Sequence, residues 1–287
     1  IIDEQHKFGV RTRTELIDKE KGHDVLYLTA TPIPRTLAMV AYGESNVSII
    51  KQKPLNRKKI DTHYLQKKDI AKLYKAIDQK IKNKEHVYVV VPAISSDKVE
   101  DNIETVKTEL EMNFACPIFV LHGQLSHVKQ TAQMQEFMYT PGSILLATTM
   151  IEVGIDIPTA TLIAIYSAEH FGLSQLHQLR GRVGRSHLAS SCFVISTKED
   201  IERLDMLTKT NDGFKLSEYD LIERGPGNFL GKEQSGYLDF RFLNLLEDHK
   251  ILTEAADNVR ELMSKKDFKT NSKYKYLNRY IKNTLKI

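Results

Sequence analysis

Short apolar runs take turns with helix-spaced segments from Ile70 to Ile195, and that alternation leaves few folds open to this chain. Ile70, Leu73, Tyr74, Ile77 and Ile81 recur at helical spacing and lead into a β-branched run, His86–Val91. Val99, Ile103, Val106 and Leu110 mark a second helix face before Ile118–Leu121. A helix over His127–Met138 precedes Ile144–Ala147, and Leu162–Tyr166 and Ser191–Ile195 supply two more strands. Strands of this length separated by helices predict an α/β fold with a mostly parallel, doubly wound sheet.

The polar residues that could do chemistry follow the strands. His122-Gly123 comes directly after Ile118–Leu121, and Thr148-Thr149 directly after Ile144–Ala147. Ile151–Pro158 then makes a turn carrying Gly154 and the carboxylate of Asp156. A helical pattern, Gln175–Arg185, follows Leu162–Tyr166 and contains Gln178, Arg180, Arg182 and Arg185. Arg182 and Arg185 stand three apart, which places them on one face of a continued helix. Gly181 and Gly184 would keep that face free of bulk. Guanidinium groups suit phosphoryl oxygens, although a solvated basic helix would carry the same letters. Because ligands of open α/β sheets sit beyond the carboxyl ends of the strands, these motifs are expected along one sheet edge.

The N-terminal stretch is different. Ile1-Ile2-Asp3-Glu4-Gln5-His6 reads as a strand end delivering two carboxylates, which suits a Mg²⁺ at Asp3 and a water polarised by Glu4, or simply an acidic turn. Val25–Leu28 reads as another strand, running into Thr29-Ala30-Thr31-Pro32-Ile33-Pro34-Arg35. The hydroxyls of Thr29 and Thr31 could pass a hydrogen-bond signal between sites. Residues 51–61, with Pro54, Asn56 and a run of charge, form the best domain boundary. The chain opens within a strand and without Met, so it reads as part of a longer protein. Ile1–Ser48 is then a partial domain with unpaired strand edges, expected to be poorly ordered or paired with another molecule.

From about Lys198 the pattern becomes helical, near Lys198–Thr208 and Leu216–Leu221. Arg224–Gly236 follows, with Gly225, Gly227, Gly231, Gly236 and Pro226 dictating an unusual loop that includes Gln234. Residues 240–287 read as helices ending in a basic tail, where eight Lys/Arg face one Asp between Ser264 and Ile287, with Tyr274, Tyr276 and Tyr280 interleaved. The net charge of +4 does not itself argue for nucleic acid, but this clustering suits a phosphate backbone as well as it suits a solvated face. No apolar run approaches the roughly 20 residues that span a bilayer. Cys116 and Cys192 lie in apolar runs that read as strands, which fits reduced core thiols.

Together these residues resemble superfamily 2 helicases. Asp3-Glu4-Gln5-His6 is similar to the metal and water motif of that superfamily, Thr29-Ala30-Thr31 to its coupling motif, and Thr148–Pro158 and Gln178–Arg185 to its two late motifs. Thr29–Ala38, Leu173–Arg185, Arg224–Gly227 and Gln234–Gly236 narrow the resemblance to the RecG family of bacterial ATP-dependent DNA helicases. Pro226 separates the chain from the related transcription-repair coupling factor, which usually has Ala there.

The resemblance implies a RecA-like second motor lobe over 62–197, a first-lobe remnant over 1–50 and a linker over 51–61. It implies a helical hairpin and translocation loop over 198–239, and a helical extension over 240–287. ATP and Mg²⁺ would be the cofactors, with Asp3 and Glu4 at the metal and Glu4, Arg182 and Arg185 as catalytic groups. His6, Gly154, Asp156 and Gln178 would be near the nucleotide. Thr29, Thr31, Arg35, His122, Thr148, Thr149, Arg224 and Gln234 would touch DNA or couple the lobes.

The implied partners are branched double-stranded DNA, together with the first motor lobe and wedge domain expected upstream of Ile1. A monomer in the bacterial cytoplasm, with no membrane contact, is implied as well. The Gly-x-x-x-x-Gly-Lys-Ser/Thr phosphate loop does not occur in these 287 residues, and Gln124 stands where a basic residue is common in the family. A translocase of the coupling-factor type and a non-catalytic module binding DNA or protein through the tail are the other readings.

Overall fold

A computed structural model describes residues 1–3, 25–29, 48–50, 52, 58–95, 100–149, 157–198, 201–224, 248–265 and 267–285. Strands β1 (Ile2–Asp3) and β2 (Tyr27–Leu28) pair in parallel as a small separate sheet. The main sheet has six strands: β3 (Asp61–Gln66), β4 (His86–Val90), β5 (Ile118–Leu121), β6 (Ile144–Ala147), β7 (Ala160–Ile165) and β8 (Ser191–Ser196). All neighbours are parallel, in the order β3-β8-β7-β4-β6-β5.

That order dictates the layers. The chain crosses the sheet from β3 through β4 to β5, then returns through β6 and β7 to β8. Right-handed crossovers place the helices of the outward and return journeys on opposite faces. Accordingly α1 (Ala71–Lys82) and α2 (Ile103–Asn113) bury Leu73, Ile77, Val106 and Leu110 against Val87, Val89, Ile144, Leu146 and Leu162. On the other face α3 (His127–Tyr139) and α4 (Leu173–Arg180) bury Phe137, Leu173, Leu176 and Leu179 against Tyr88, Val90, Leu145, Ile163 and Ile165. Alternate residues of each strand thus feed two cores. All five residues of β4 are buried, as a central parallel strand covered on both sides requires.

Strand β3 was not legible in the sequence. Its letters, Asp-Thr-His-Tyr-Leu-Gln, contain no apolar run, and only Leu65 is buried. It is an edge strand whose formation rests on full-length pairing with β8. Cys116 also departs from expectation, since it lies half-buried just ahead of β5 rather than within a strand. Cys192 is fully buried in β8, and burial pushes its thiol up to about 12.

Helices α5 (Glu202–Lys209) and α6 (Gly213–Arg224) place Leu204, Leu207 and Leu216 in the same core as α3 and α4. The compact unit therefore continues through Glu223, past the change of character read near residue 198. A second unit contains α7 (His249–Ser264) and α8 (Lys275–Leu285), with Phe268 buried and its ring 5.5 Å from that of Tyr274. Among the described residues no helix is long and apolar enough to cross a membrane.

Candidate functional site

Parallel strands bring their carboxyl ends to one edge. β5, β6 and β7 end at Leu121, Ala147 and Ile165, so His122 and Thr148 emerge side by side, with Tyr166 on the far side of β4. The Thr148 amide continues the ladder, donating to the Leu121 carbonyl at 3.2 Å, and the Tyr166 amide donates to Val90 at 2.9 Å. The His122 carbonyl accepts from the Leu125 amide at 3.2 Å, closing a turn into α3. His122 Nδ1 is buried and has no hydrogen-bond partner among the described residues. Beside it lies a shallow cavity of about 340 Å³, also lined by Lys129 and Gln133. Gln124 is exposed.

The same edge holds a buried polar cluster that the sequence did not announce. Asp101, 1% exposed, pairs with Lys67 and accepts from Ser167 Oγ at 2.7 Å. Burial opposes the Lys67 charge, but the Asp101 hydrogen bond and charge outweigh it and hold that ammonium above its ordinary pKa. Tyr166 donates to Glu109 Oε1 at 3.1 Å, and Tyr74 donates to the same oxygen. Burial pushes both phenols up. The ends of β3 and β7 and the starts of α1 and α2 are thereby fixed to one another.

The arginines lie elsewhere. Helix α4 starts near the carboxyl edge, and its eight residues carry the chain back by about 12 Å. It stops at Arg180, with Gly181 as C-cap, so Arg182 and Arg185 do not share a helix face. They occupy the following turn, where the Arg182 amide donates to Leu179 at 3.0 Å and Arg185 Nε donates to the Gly181 carbonyl at 3.2 Å. Both side chains are half-buried.

Gly184, at φ +73°, closes the turn, and a Cβ there would stand 2.8 Å from Ile60 Cγ1. That glycine makes room for the chain's own Ile60, not for an approaching ligand. Ile60 directly precedes β3, so the arginine turn sits at the amino edge of the sheet. The expectation of one common edge is thus corrected: Arg182 and Arg185 lie at the edge opposite His122, Thr148 and Thr149.

Arg180 has no free role in binding. It is 2% exposed, and its Nη1 donates to the carbonyls of Leu207 at 2.7 Å and Thr210 at 3.0 Å, at the end of α5. Its Nη2 lies 2.9 Å from His177 Nδ1. Burial lowers its pKa. At the other end of α4 the N-cap is Gly172, which has no side chain to offer. Asp220 of α6 supplies one, accepting from the Leu173 amide and from Ser174 Oγ, each at 3.4 Å. The helix that leads to the arginine turn is therefore gripped at both ends by the α5–α6 hairpin. Gln178 is half-buried on this helix.

In the small sheet, Asp3 ends β1 opposite Leu28, the residue before Thr29, so Asp3 and Thr29 share one edge. Glu4, His6, Thr31, Arg35, Gly154, Asp156 and Gln234 lie outside the described residues, and Arg224 is placed only as the last residue of α6. Among the described residues no group of three His, Cys, Asp or Glu side chains could hold a metal. A lone carboxylate at a strand end still fits Mg²⁺, which keeps several waters and takes one or two carboxylates plus substrate phosphates.

Two family models match the chain. Residues 68–187 match the helicase conserved C-terminal domain, and residues 210–287 match the C-terminal part of domain 3 of the ATP-dependent DNA helicase RecG. The chain is 42% identical to the ATP-dependent DNA helicase RecG of Staphylococcus aureus strain NCTC 8325, over 99% of this chain and 42% of that protein. It is also 42% identical to the RecG of Staphylococcus epidermidis strain ATCC 12228, over 100% of this chain and 43% of that protein. The chain thus spans less than half the length of the curated relatives it matches.

Among solved structures, RecG bound to a three-way DNA junction is 35% identical with a TM-score of 0.66, covering 88% of this chain and 33% of that one. S. cerevisiae Dbp5 bound to RNA and ADP BeF3 shares the fold at 16% identity and TM-score 0.51, covering 80% of this chain and 62% of that one. The six-stranded parallel sheet is a RecA-like helicase lobe. With that lobe and the domain 3 match in a single chain, the chain belongs to the RecG family of ATP-dependent DNA helicases.

Proposed function

We propose that the protein carrying this chain is an ATP-dependent double-stranded DNA translocase that remodels branched DNA such as stalled forks and Holliday junctions. The observation that carries this reading is the arginine turn. Arg182 and Arg185 follow a helix tied at both ends to the α5–α6 hairpin, which precedes Arg224–Gly236 in the chain.

In this reading Arg182 and Arg185 stabilise charge on the transferring γ-phosphoryl group, which is where an arginine contributes most to phosphoryl transfer. Asp3 would hold Mg²⁺, Glu4 would orient and deprotonate the attacking water, and His6, Gly154, Asp156 and Gln178 would lie near the nucleotide. Bound there, the metal would supply neutralisation of the charge that develops on the phosphate oxygens. His122, Thr148 and Thr149, at the opposite edge, contact the DNA backbone, and Thr29, Thr31, Arg35, Arg224 and Gln234 take part in backbone contact or coupling.

Separating the two groups across one sheet lets the lobe move as a lever between nucleotide and DNA. Displacement of the arginine turn is passed through Arg180 and Asp220 to α5 and α6, and from there to the loop. Residues 1–50 act as part of the first motor lobe, 51–61 as linker, 62–197 as second lobe, 198–239 as hairpin and loop, and 240–287 as extension. The intact protein works as a monomer in the bacterial cytoplasm. Contacts are mainly to phosphates, so binding is independent of base sequence. Forked DNA should stimulate the ATPase of the intact protein strongly and RNA should not; equal stimulation by RNA would overturn the reading.

A further inference from the structure

We infer that the C-terminal unit carries a second nucleic-acid surface, a basic concavity that holds the phosphodiester backbone of duplex DNA. The concavity, about 460 Å³, is lined by Lys269, Lys275, Arg279 and Lys282, with Asn278 and Asn283 between them. Among the described residues no carboxylate lines it. Lys275, Asn278, Arg279, Lys282 and Asn283 follow one another at helical spacing, so one face of α8 is wholly polar and triply cationic.

Two local contacts hold the surface in shape. Asn278 Nδ2 donates to the Phe268 carbonyl at 2.9 Å, fastening α8 to the turn that bears Lys269. The nearby Asp267 carboxylate is engaged by Asn271 Nδ2 at 2.7 Å and not by a lysine. Lys265 is paired with Glu261 at 3.3 Å, whereas among the described residues Lys269, Lys275, Arg279 and Lys282 make no ion pair.

Four cations kept together without counter-charge repel one another unless an anion joins them. From Lys275 to Lys282 the helix face is roughly 10 Å long, so its three cations are spread widely enough to meet separate phosphates of one strand. A single small anion would leave most of that length unused. A polyanion with regular spacing fills it, and every contact is made to backbone, so this surface adds affinity and no base preference. Tyr276 and Tyr280 leave the polar face free, standing 84% and 68% exposed on another side of the helix.

This inference rests on the reading of the protein as a DNA translocase, and salt dependence tests it separately. Duplex DNA binding by the intact protein is compared with that of a Lys275→Gln, Arg279→Gln, Lys282→Gln variant across salt concentration. Loss of about three phosphate contacts lowers the log–log slope by about 2.7, so between about 50 and about 200 mM salt the parent should lose about 40-fold more affinity than the variant. A Lys275→Arg, Lys282→Arg variant should keep the parent slope. If the parent binds duplex DNA and the triple variant has the same slope, the surface does not touch DNA and this inference alone fails. An unchanged slope accompanied by a lowered melting temperature would assign the surface to an acidic face of the same protein, and would equally overturn it. A parent that binds no DNA would remove both this inference and the reading beneath it.

Discussion

Arg180 Nη1 stands 2.7 Å from the backbone carbonyl oxygen of Leu207, and this bond fastens the end of α4 to the end of α5. The guanidinium is buried, so its loss leaves the Leu207 and Thr210 carbonyls without a donor inside the protein. An unsatisfied buried polar group costs about 1–3 kcal/mol, and the two together should lower unfolding free energy by about 2–4 kcal/mol in Arg180→Met. Arg180→Lys should recover little, because an ammonium cannot fork between two carbonyls and His177. Denaturant unfolding checks this, and a lysine variant within about 0.5 kcal/mol of the parent would contradict it.

Gly184→Ala meets two penalties, positive φ and Ile60. Left-handed backbone and overpacking together should cost about 2–4 kcal/mol. Asparagine tolerates the backbone angle but carries the same Cβ, so Gly184→Asn should not rescue. In an Ile60→Ala background, Gly184→Ala should cost only the backbone part, about 1 kcal/mol. Thermal unfolding of the four combinations measures the coupling.

The fold was legible where periodicity was strong, and it failed where tertiary pairing decided. Residues 70–195 announced five of the six main strands because each is an apolar run. β3 is polar and becomes a strand only by lying along β8. The site was legible as letters and not as geometry. Nothing in Gln178–Arg185 says that α4 ends at Arg180, since Gly181 is compatible with either a helix or a cap. Once the helix ends there, Arg180 turns inward, and Arg182 and Arg185 are delivered to the amino edge. The Lys67–Asp101–Ser167 cluster joins residues 34 and 66 positions apart, which no local pattern records.

Acid should weaken the lobe through His86. Burial lowers the pKa of this imidazole, which lies 3.0 Å from the Phe137 carbonyl and 2.8 Å from Thr159 Oγ1. A base with a folded pKa below its unfolded value binds more protons when unfolded. Stability is therefore complete above about 6.5 and falls as pH drops through that value toward the lower folded pKa. Melting temperatures between about pH 7.5 and about pH 5 should decline in the parent and decline less in His86→Gln, which keeps polar atoms at that position without titrating.

The 287-residue chain by itself should hydrolyse no ATP above background, because the Gly-x-x-x-x-Gly-Lys-Ser/Thr loop that cradles β- and γ-phosphates does not occur in its sequence and its arginines then act on an unpositioned group. Steady-state phosphate release by the purified chain, with and without forked DNA, checks this. Turnover that disappears in Arg182→Ala would contradict it.

The central claim is that the arginine turn acts on a phosphoryl group in the transition state. Its most direct test is DNA-stimulated kcat for Arg182→Ala and Arg185→Ala in the intact protein, read beside the affinity for a nonhydrolysable ATP analogue. The account predicts a fall in kcat of about 10³–10⁵ for an arginine acting on the γ-phosphate, with nucleotide affinity changed far less. Turnover within a few-fold of the parent in both variants would contradict it.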